Sequence, residues 1–588
     1  MRTHRPRCPI VLLAPVSLCL LLLCALVLTG CKTEKRAIST FQYTVDARGR
    51  KMASFPGYNY FLSPDRTRFA YFDRGEDGRY YVVVGSSEGK HYESVAKFAF
   101  SPDSKRFAYV ADGNTVVVDG AEGNPYRGLA TTPAGQDNPI TFSADSRHVG
   151  YVALTARSMT ELAKFIAVVD GVEHKPYDYI LRPGYPRDGS GILFSPAGGR
   201  TAYIAGTRNN GTFLVVDGVE GKTYDGIGSV AFSADGLHIS YVAQRRDASG
   251  WSDFAIVLDG KEGKWYRADE ISELTFSPDG MSLVYVVRQS LGSFGVVNGV
   301  EQTTHHGVSD ITFSPDSEHL AYVAVDLRQG VYEYTVILDG VPGEAYRFIG
   351  SGIQDSDGGL KFSPDSQRLA YVAVPGHLIR TLVLDGVAGR VYSRISDVTF
   401  SPDSRHIGYI ADGAIAVLDN VETKYSAIAG KLILSQDALR SATVVSDSDN
   451  KAVAVDGVVG KPYYWVLAPV FSPDGRHVAY VAGNDKGQSF MVVHGIVGTA
   501  YDSVSAPVFS PDGQHIAYVA GDSKSMSYFV VVDGIEGEEY DKIMDRDEPD
   551  TPSASRASTT AIVFDSDRDF HYLALSEEKL YLVRGSPK

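Results

Sequence analysis

The chain has 588 residues, 44% of them hydrophobic, and a formal net charge of −15. That acidity disfavours a nucleic-acid partner, while the length and apolar content allow two domains with sizeable cores. Its four cysteines, Cys8, Cys19, Cys24 and Cys31, all fall within the first 31 residues, so no disulfide, thiolate zinc site or thiol nucleophile is available further along.

The chain opens with Arg2, Arg5 and Arg7, followed by an apolar run from Ile10 to Leu28. A basic segment and an apolar segment in this order are the layout of a secretory signal. The next residues, Leu28-Thr29-Gly30-Cys31, resemble the lipobox of bacterial lipoproteins. The resemblance implies a signal peptide at residues 1–30 and a lipid on Cys31 as the new first residue. An uncleaved anchor is the alternative, since 19 apolar residues approach the lower limit for a spanning helix. Lys32 stands where that family would carry aspartate for inner-membrane retention, which favours the outer membrane facing the periplasm, or the cell surface. Cleavage would remove three arginines and no acids, taking the charge to −18.

From Leu62 to Phe564 the motif Phe-Ser-Pro-Asp, or a close variant, starts thirteen times at an average spacing of about 42 residues. Residues 31–60, before the first start, are expected to lend strands to a blade, with Thr44-Val45-Asp46 and Lys51 to Tyr60 as the candidates. The repeat from Ile311 to Ile349 shows the pattern in one copy. Ile311-Thr312-Phe313 alternates as a strand, and Ser314-Pro315-Asp316-Ser317 turns the chain, with proline pre-setting φ. A second strand is predicted over His319 to Ala324, a polar loop over Asp326 to Gly330, and a third strand over Tyr332 to Leu338. Asp339-Gly340 begins a tight turn, and Tyr346 to Ile349 is predicted as a short fourth strand. A tyrosine nine residues after the motif start recurs in eleven of the thirteen copies. Four antiparallel strands in about 40 residues make one blade of a β-propeller, a sheet whose exposed face its neighbour must cover.

The segment Phe471 to Ala482, Phe-Ser-Pro-Asp-Gly-Arg-His-Val-Ala-Tyr-Val-Ala, resembles the WD40-like Pro-Asp repeat of TolB-type propellers. The resemblance covers about Phe61 to Tyr572 and implies an all-β chain of tandem propellers. No helical segment before Phe61 matches the α/β domain of TolB itself. Thirteen blades exceed the usual four to eight of one ring, so two rings are expected, six blades over residues 61–305 and seven over 306–588. The cut is placed near Gln302 to Val308, where the repeat departs from its neighbours.

Loop length sets one face of such a ring apart. The Ser-Pro-Asp and Asp-Gly turns are nearly uniform, whereas the second-to-third and blade-to-blade loops vary. Gly120 to Phe142, Gly171 to Phe194, Gly340 to Phe362 and Gly534 to Phe564 are the long connections. Extra loop length on a rigid scaffold is where binding usually resides. The candidates are Arg182, Tyr185, Arg187 and Asp188 in one loop, Asp355 and Asp357 in another, and Arg245, Arg246 and Trp251 in a third. Aromatic and arginine side chains are typical interface anchors; the competing reading is a loop packed on its own blade. Asp545 to Thr560 is acidic, then rich in Ser, Thr and Ala, a composition that does not build a core.

Several motifs suggest chemistry and read better as architecture. Gly85-Ser86-Ser87-Glu88-Gly89 matches Gly-x-Ser-x-Gly but occupies the Asp-Gly hairpin slot, with no hydrolase domain to supply a base. His148, His238, His319, His406, His477 and His515 share one repeat slot that elsewhere holds arginine, which suits a polar strand start better than a metal ligand. The adjacent pair His305-His306 would diverge on a strand. Asp447-Ser448-Asp449 and Asp565 to Asp569 alternate oxygen ligands but lack the glycine and distant glutamate of a calcium loop. No cofactor, metal or catalytic set is expected. The expectation is a non-catalytic protein-binding or scaffolding module of the cell envelope, held to the membrane by its N-terminal lipid. A carbohydrate- or peptidoglycan-binding or glycan-cleaving propeller is the alternative, and a purely structural or sensory surface protein a third.

Overall fold

The computed structural model describes residues 41–44, 60–130, 138–155, 164–181, 191–207, 211–350, 359–376, 379–437, 439–447, 449–544, 561–576 and 579–587. Among these residues the chain is all-β and builds thirteen antiparallel sheets of four or five strands. Each sheet is one blade, numbered here in chain order.

Blade seven shows why the sequence folds this way. Its strands are Gly307–Phe313, Leu320–Arg328, Val331–Leu338 and Val341–Tyr346. Two predicted boundaries move. The polar stretch Asp326 to Gly330 is not a loop: the second and third strands pair as far as Arg328 and Val331, leaving only Gln329 and Gly330 at the tip. The fourth strand begins directly after Asp339-Gly340, because that turn needs two residues, and Phe348–Ile349 belongs instead to the next blade. Gly340 and Asp339 both have positive φ, as such a turn requires.

The recurrent residues are turn chemistry. Ser314 is fully buried; its Oγ donates to Asp316 Oδ1 at 2.5 Å and accepts the His319 N–H at 2.9 Å. The Asp316 N–H donates to Ser366 Oγ of the following blade at 2.9 Å. His319 Nδ1 lies 2.8 Å from Asp339 Oδ2, and Asp339 Oδ1 accepts the Leu320 N–H. The shared His/Arg slot is thereby explained. Either side chain can reach the aspartate of the Asp-Gly turn, as Arg106 does with Asp119, Arg200 with Asp217 and Arg368 with Asp385. The recurrent tyrosines, such as Tyr109, Tyr203 and Tyr409, are almost fully buried between blades. Gly85 and Ser86 form the hairpin turn of blade one, as expected.

Packing runs from each blade to the next. A cluster containing Val286, Val308 and Tyr322 joins blade six to blade seven, and the Asp279 N–H donates to Ser317 Oγ across the same junction at 2.9 Å. The expected cut at 305/306 therefore looks like the other junctions. Phe69 of blade one packs with Met544 and Leu573 of blade thirteen, so the last blade meets the first. Among the described residues no hydrophobic cluster joins blade six to blade one or blade thirteen to blade seven, the contacts that two separate rings would need. The contacts form one circuit of thirteen blades.

The first strands of neighbouring blades approach each other, as in blades one and two and blades five and six, which places them at the hub. In several blades this inner strand carries a bulge, at Ala96/Ala99, Ser272/Thr275, Ser309/Thr312 and Ser396/Thr399. In others it is split in two, and both halves pair with the same second strand: Gly128–Leu129 with Thr141–Phe142, Tyr179–Leu181 with Leu193–Phe194, and Phe348–Ile349 with Lys361–Phe362. The residues that flank these long connections therefore pair part-way along the inner strand.

Of the N-terminal strand candidates, Val45, Asp46 and residues 51–59 lie outside the described residues. Phe41–Thr44 pairs with Lys579–Gly585 as the outermost strand of blade thirteen, the place that the fourth strand takes in the other blades.

Candidate functional site

Each blade presents two kinds of hairpin on opposite sides. The Ser-Pro-Asp and Asp-Gly turns make a uniform turn face. The second-to-third hairpins make the other face, and their tips differ from blade to blade.

Among the described residues, the tip of blade five is held by several hydrogen bonds and ion pairs. Ile239–Arg246 and Ser252–Leu258 pair from end to end around residues 247–251. Asp247 Oδ1 accepts the N–H groups of Ser249 and Trp251 and the Ser249 hydroxyl, and these bonds hold its carboxyl below the usual carboxylate range. Arg267 bridges Asp247 at 2.7 Å and Asp253 at 3.1 Å. Arg245 also reaches Asp253, and its guanidinium stacks 4.2 Å from the Trp265 ring centroid. The Arg246 N–H donates to Asp225. The three sequence candidates in this loop therefore differ. Arg245 packs on its own blade. Trp251 is held at the tip by hydrogen bonds of its backbone, and the residue is 58% exposed.

The next three blades extend an apolar arc. Leu291, at the tip of blade six, is 98% exposed. In blade seven Leu327, Val331 and Tyr332 are exposed, and the Tyr332 ring lies 5.2 Å from that of His306. Ile379 continues the arc on blade eight. The hairpins of blades one and eleven carry Asp77-Gly78 and Asp485-Lys486-Gly487 at the same place. Outside the arc, Met526 is an exposed tip residue on blade twelve.

Sequence reasoning found Trp251 but missed Leu291 and Tyr332. The available signal was strand register: once two strands are known to pair to their last residue, an apolar side chain at the tip has nowhere to be buried. Arg182, Tyr185, Arg187, Asp188, Asp355 and Asp357 lie outside the described residues. Their flanks, Leu181 and Leu360, sit at splits of inner strands. Cys31, Ser448 and residues 545–560 are also outside the described residues.

The inner strands are tied by polar bridges between blades. Arg288 donates to Glu273 Oε1 at 2.7 Å, and Glu273 Oε2 accepts the Ile311 N–H of the next blade. Burial pushes the Glu273 carboxyl up despite these partners. Asp397 accepts the Leu432 N–H, and Lys361 Nζ donates to the Val398 carbonyl at 2.7 Å. A cleft of about 610 Å³ opens between blades nine and ten, lined by Lys424, Tyr425, Asp447 and Lys451. The connection is one residue short there: Tyr425 follows Asn420 by five positions, where Tyr463 follows Gly457 by six.

No group of three histidine, cysteine, aspartate or glutamate side chains with metal-holding geometry occurs among the described residues. Asp565 is engaged with His571, and Asp569 with Ser566 and Ser586. No helix among the described residues is long and apolar enough to cross a membrane.

No family model and no curated protein matches the chain. Among solved structures it is similar to one titled "Crystal structure of the eukaryotic initiation factor", at 14% identity and a TM-score of 0.31, covering 67% of this chain and 94% of that one. It is also similar to "Oligogalacturonate lyase in complex with manganese", at 13% identity and a TM-score of 0.22, covering 51% of this chain and 96% of that one. Likeness at this level carries no functional inference. The fold rests on the strand pairing described above.

Proposed function

We propose that the chain is an exported, lipid-anchored β-propeller of the WD40-like Pro-Asp repeat kind, a non-catalytic module whose hairpin arc binds a protein of the cell envelope. One observation carries the binding reading: Trp251, Leu291, Tyr332 and Ile379 stand exposed at or beside the second-to-third hairpin ends of four consecutive blades. Protein interfaces are anchored by a few large aromatic and apolar side chains, and an aromatic residue on a backbone fixed by hydrogen bonds binds at low entropic cost. The lipobox-like Leu28-Thr29-Gly30-Cys31 supports the anchor. The test is crosslinking from a photoreactive residue at position 291 in intact cells, followed by mass spectrometry. A discrete adduct lost in Trp251→Ala supports the reading, and no adduct from 251, 291 or 332 defeats it.

The exposed Trp251 also favours a glycan ligand. Binding on a glycan array that Trp251→Ala abolishes would establish a lectin instead. Cleavage would further require two carboxylates about 5–10 Å apart at the bound sugar.

A further inference from the structure

The register of the closing strand fixes where the anchor leaves the ring. Phe41 pairs with Arg584 and Thr44 with Tyr581. In the same blade Gly585 pairs with Phe570, beside the turn Asp565 to Asp569, while Lys579 pairs with Ser576 at the opposite hairpin. Ser586 Oγ donates to Asp569 Oδ1 at 2.6 Å, which marks the same end of the blade. The strand Phe41–Thr44 therefore starts at the turn face and runs toward the hairpin face. Any chain preceding Phe41 leaves from the turn face.

The tether is short. Nine residues lie between Cys31 and Phe41, and the ten steps from one to the other reach at most about 33–36 Å when fully extended. The seven-residue strand Lys579–Gly585 rises about 23 Å from one face to the other. Turning the ring over, so that the hairpin tips met the bilayer, would consume most of the tether in climbing past the rim.

We propose that the tether holds the turn face of blade thirteen toward the bilayer and presents the Trp251–Ile379 arc away from it. This rests on the lipid-anchor reading above. It also narrows the partner class: the arc meets a component that stands off from the anchoring membrane, such as a soluble protein or one fixed to an opposing layer. A lipid headgroup of the same leaflet would be met only by spending about 23 Å of the tether's roughly 33–36 Å on the climb. The turn face is not itself offered as a lipid-binding surface, because it repeats a motif aspartate in nearly every blade.

The test uses the full chain in its lipidated form. Beyond Cys31 the chain has no cysteine, so single labels can be introduced cleanly. Leu237→Cys labels an exposed turn-face position and Leu291→Cys a hairpin tip. Each labelled protein is reconstituted into phosphatidylethanolamine/phosphatidylglycerol vesicles carrying a headgroup energy-transfer acceptor. Higher transfer at position 237 than at 291 is the expected result. Vesicle flotation with equal or reversed transfer overturns the orientation while the anchor stands. Failure to float, or flotation that survives Cys31→Ser, overturns the anchor and the orientation with it. Met281→Cys, on the next blade's turn, serves as a second turn-face label if Leu237→Cys folds poorly.

Discussion

His571 Nε2 lies 2.9 Å from the carbonyl oxygen of Asp65, a contact between residues 506 positions apart. It crosses the junction of the last blade with the first. The Nδ1 of the same ring lies 2.9 Å from both carboxylate oxygens of Asp565, and the side chain is 2% exposed. The ring thus occupies a buried slot with an acceptor at each nitrogen. His571→Ala is expected to lower stability by about 1–3 kcal/mol, through loss of a buried side chain and of its hydrogen bonds, one of them to a carboxylate. Urea unfolding of the wild type and the variant measures it. Proteolysis should then cut first on the two sides of this junction, and unchanged stability and cleavage would show that the junction does not hold the ring closed.

The arc yields a separable prediction. Trp251→Ala, Leu291→Ser and Tyr332→Ala remove exposed side chains, so unfolding midpoints should stay within about 0.5 kcal/mol of wild type. Partner affinity should fall about tenfold or more for at least one of them, as for an interface anchor. Leu237→Ser on the turn face is the control and should leave affinity unchanged. Equal losses from both faces would place the contact elsewhere.

Two histidine slots should respond to pH with opposite sign. The hydrogen bond to Asp339 raises the pKa of His319. Its contribution is complete below the unfolded value of about 6.5 and is lost as pH rises through the higher folded value. In blade eleven the turn aspartate is replaced by His494, whose Nε2 lies 2.5 Å from His477 Nδ1. Burial, with the His477 charge second, lowers the pKa of His494. Its contribution is complete above about 6.5 and fades as pH falls through the lower folded value. His494→Asp should restore the commoner pairing and reverse the slope at that site. Each effect should stay below about 1 kcal/mol, because both pairs are partly solvated. NMR titration of the two imidazoles, with stability measured on both sides of neutrality, reads the signs directly.

The buried motif serine is a third kind of test. Ser401 is fully buried; its Oγ donates to Asp403 at 2.5 Å and accepts the His406 N–H at 3.0 Å. Ser401→Ala strands the His406 amide and should cost about 1–3 kcal/mol. Ile395→Ala, in the core between blades eight and nine, should cost about 2–5 kcal/mol through the cavity it leaves. Calorimetry that ranked the serine above the isoleucine would mean that turn bonding, not packing, sets blade stability.

Much of the fold is legible in the sequence, because its strongest signals are local. Ser314, Pro315 and Asp316 act within one turn, and Tyr322 marks the middle of a paired strand, so spacing alone finds them. Non-local pairing is less visible. The partner of His319 is twenty residues away across a hairpin, and nothing in the string shows that Asp339 meets it. Phe348 and Ile349 look like the end of a blade, since a short apolar run carries no sign of which strand it will pair with. The seam is least visible of all: Phe41–Thr44 has four residues and no motif, and its assignment depends on a partner at the far end of the chain. Of the site, Trp251 stood out by residue type, whereas Leu291 became visible only once strand register showed that it could not turn inward.

The closing strand has a consequence for how the molecule is made. Phe41–Thr44 is synthesised first, yet its hydrogen-bonding partner, Lys579–Gly585, is nearly the last segment to appear. Every blade between them can form on its nearest neighbour as the chain lengthens. Phe41–Thr44 must wait, without this partner, until translation is almost complete. A truncation from the C-terminus would therefore strand the N-terminus as well, and a nascent chain stalled before residue 579 would display two ragged borders in place of none.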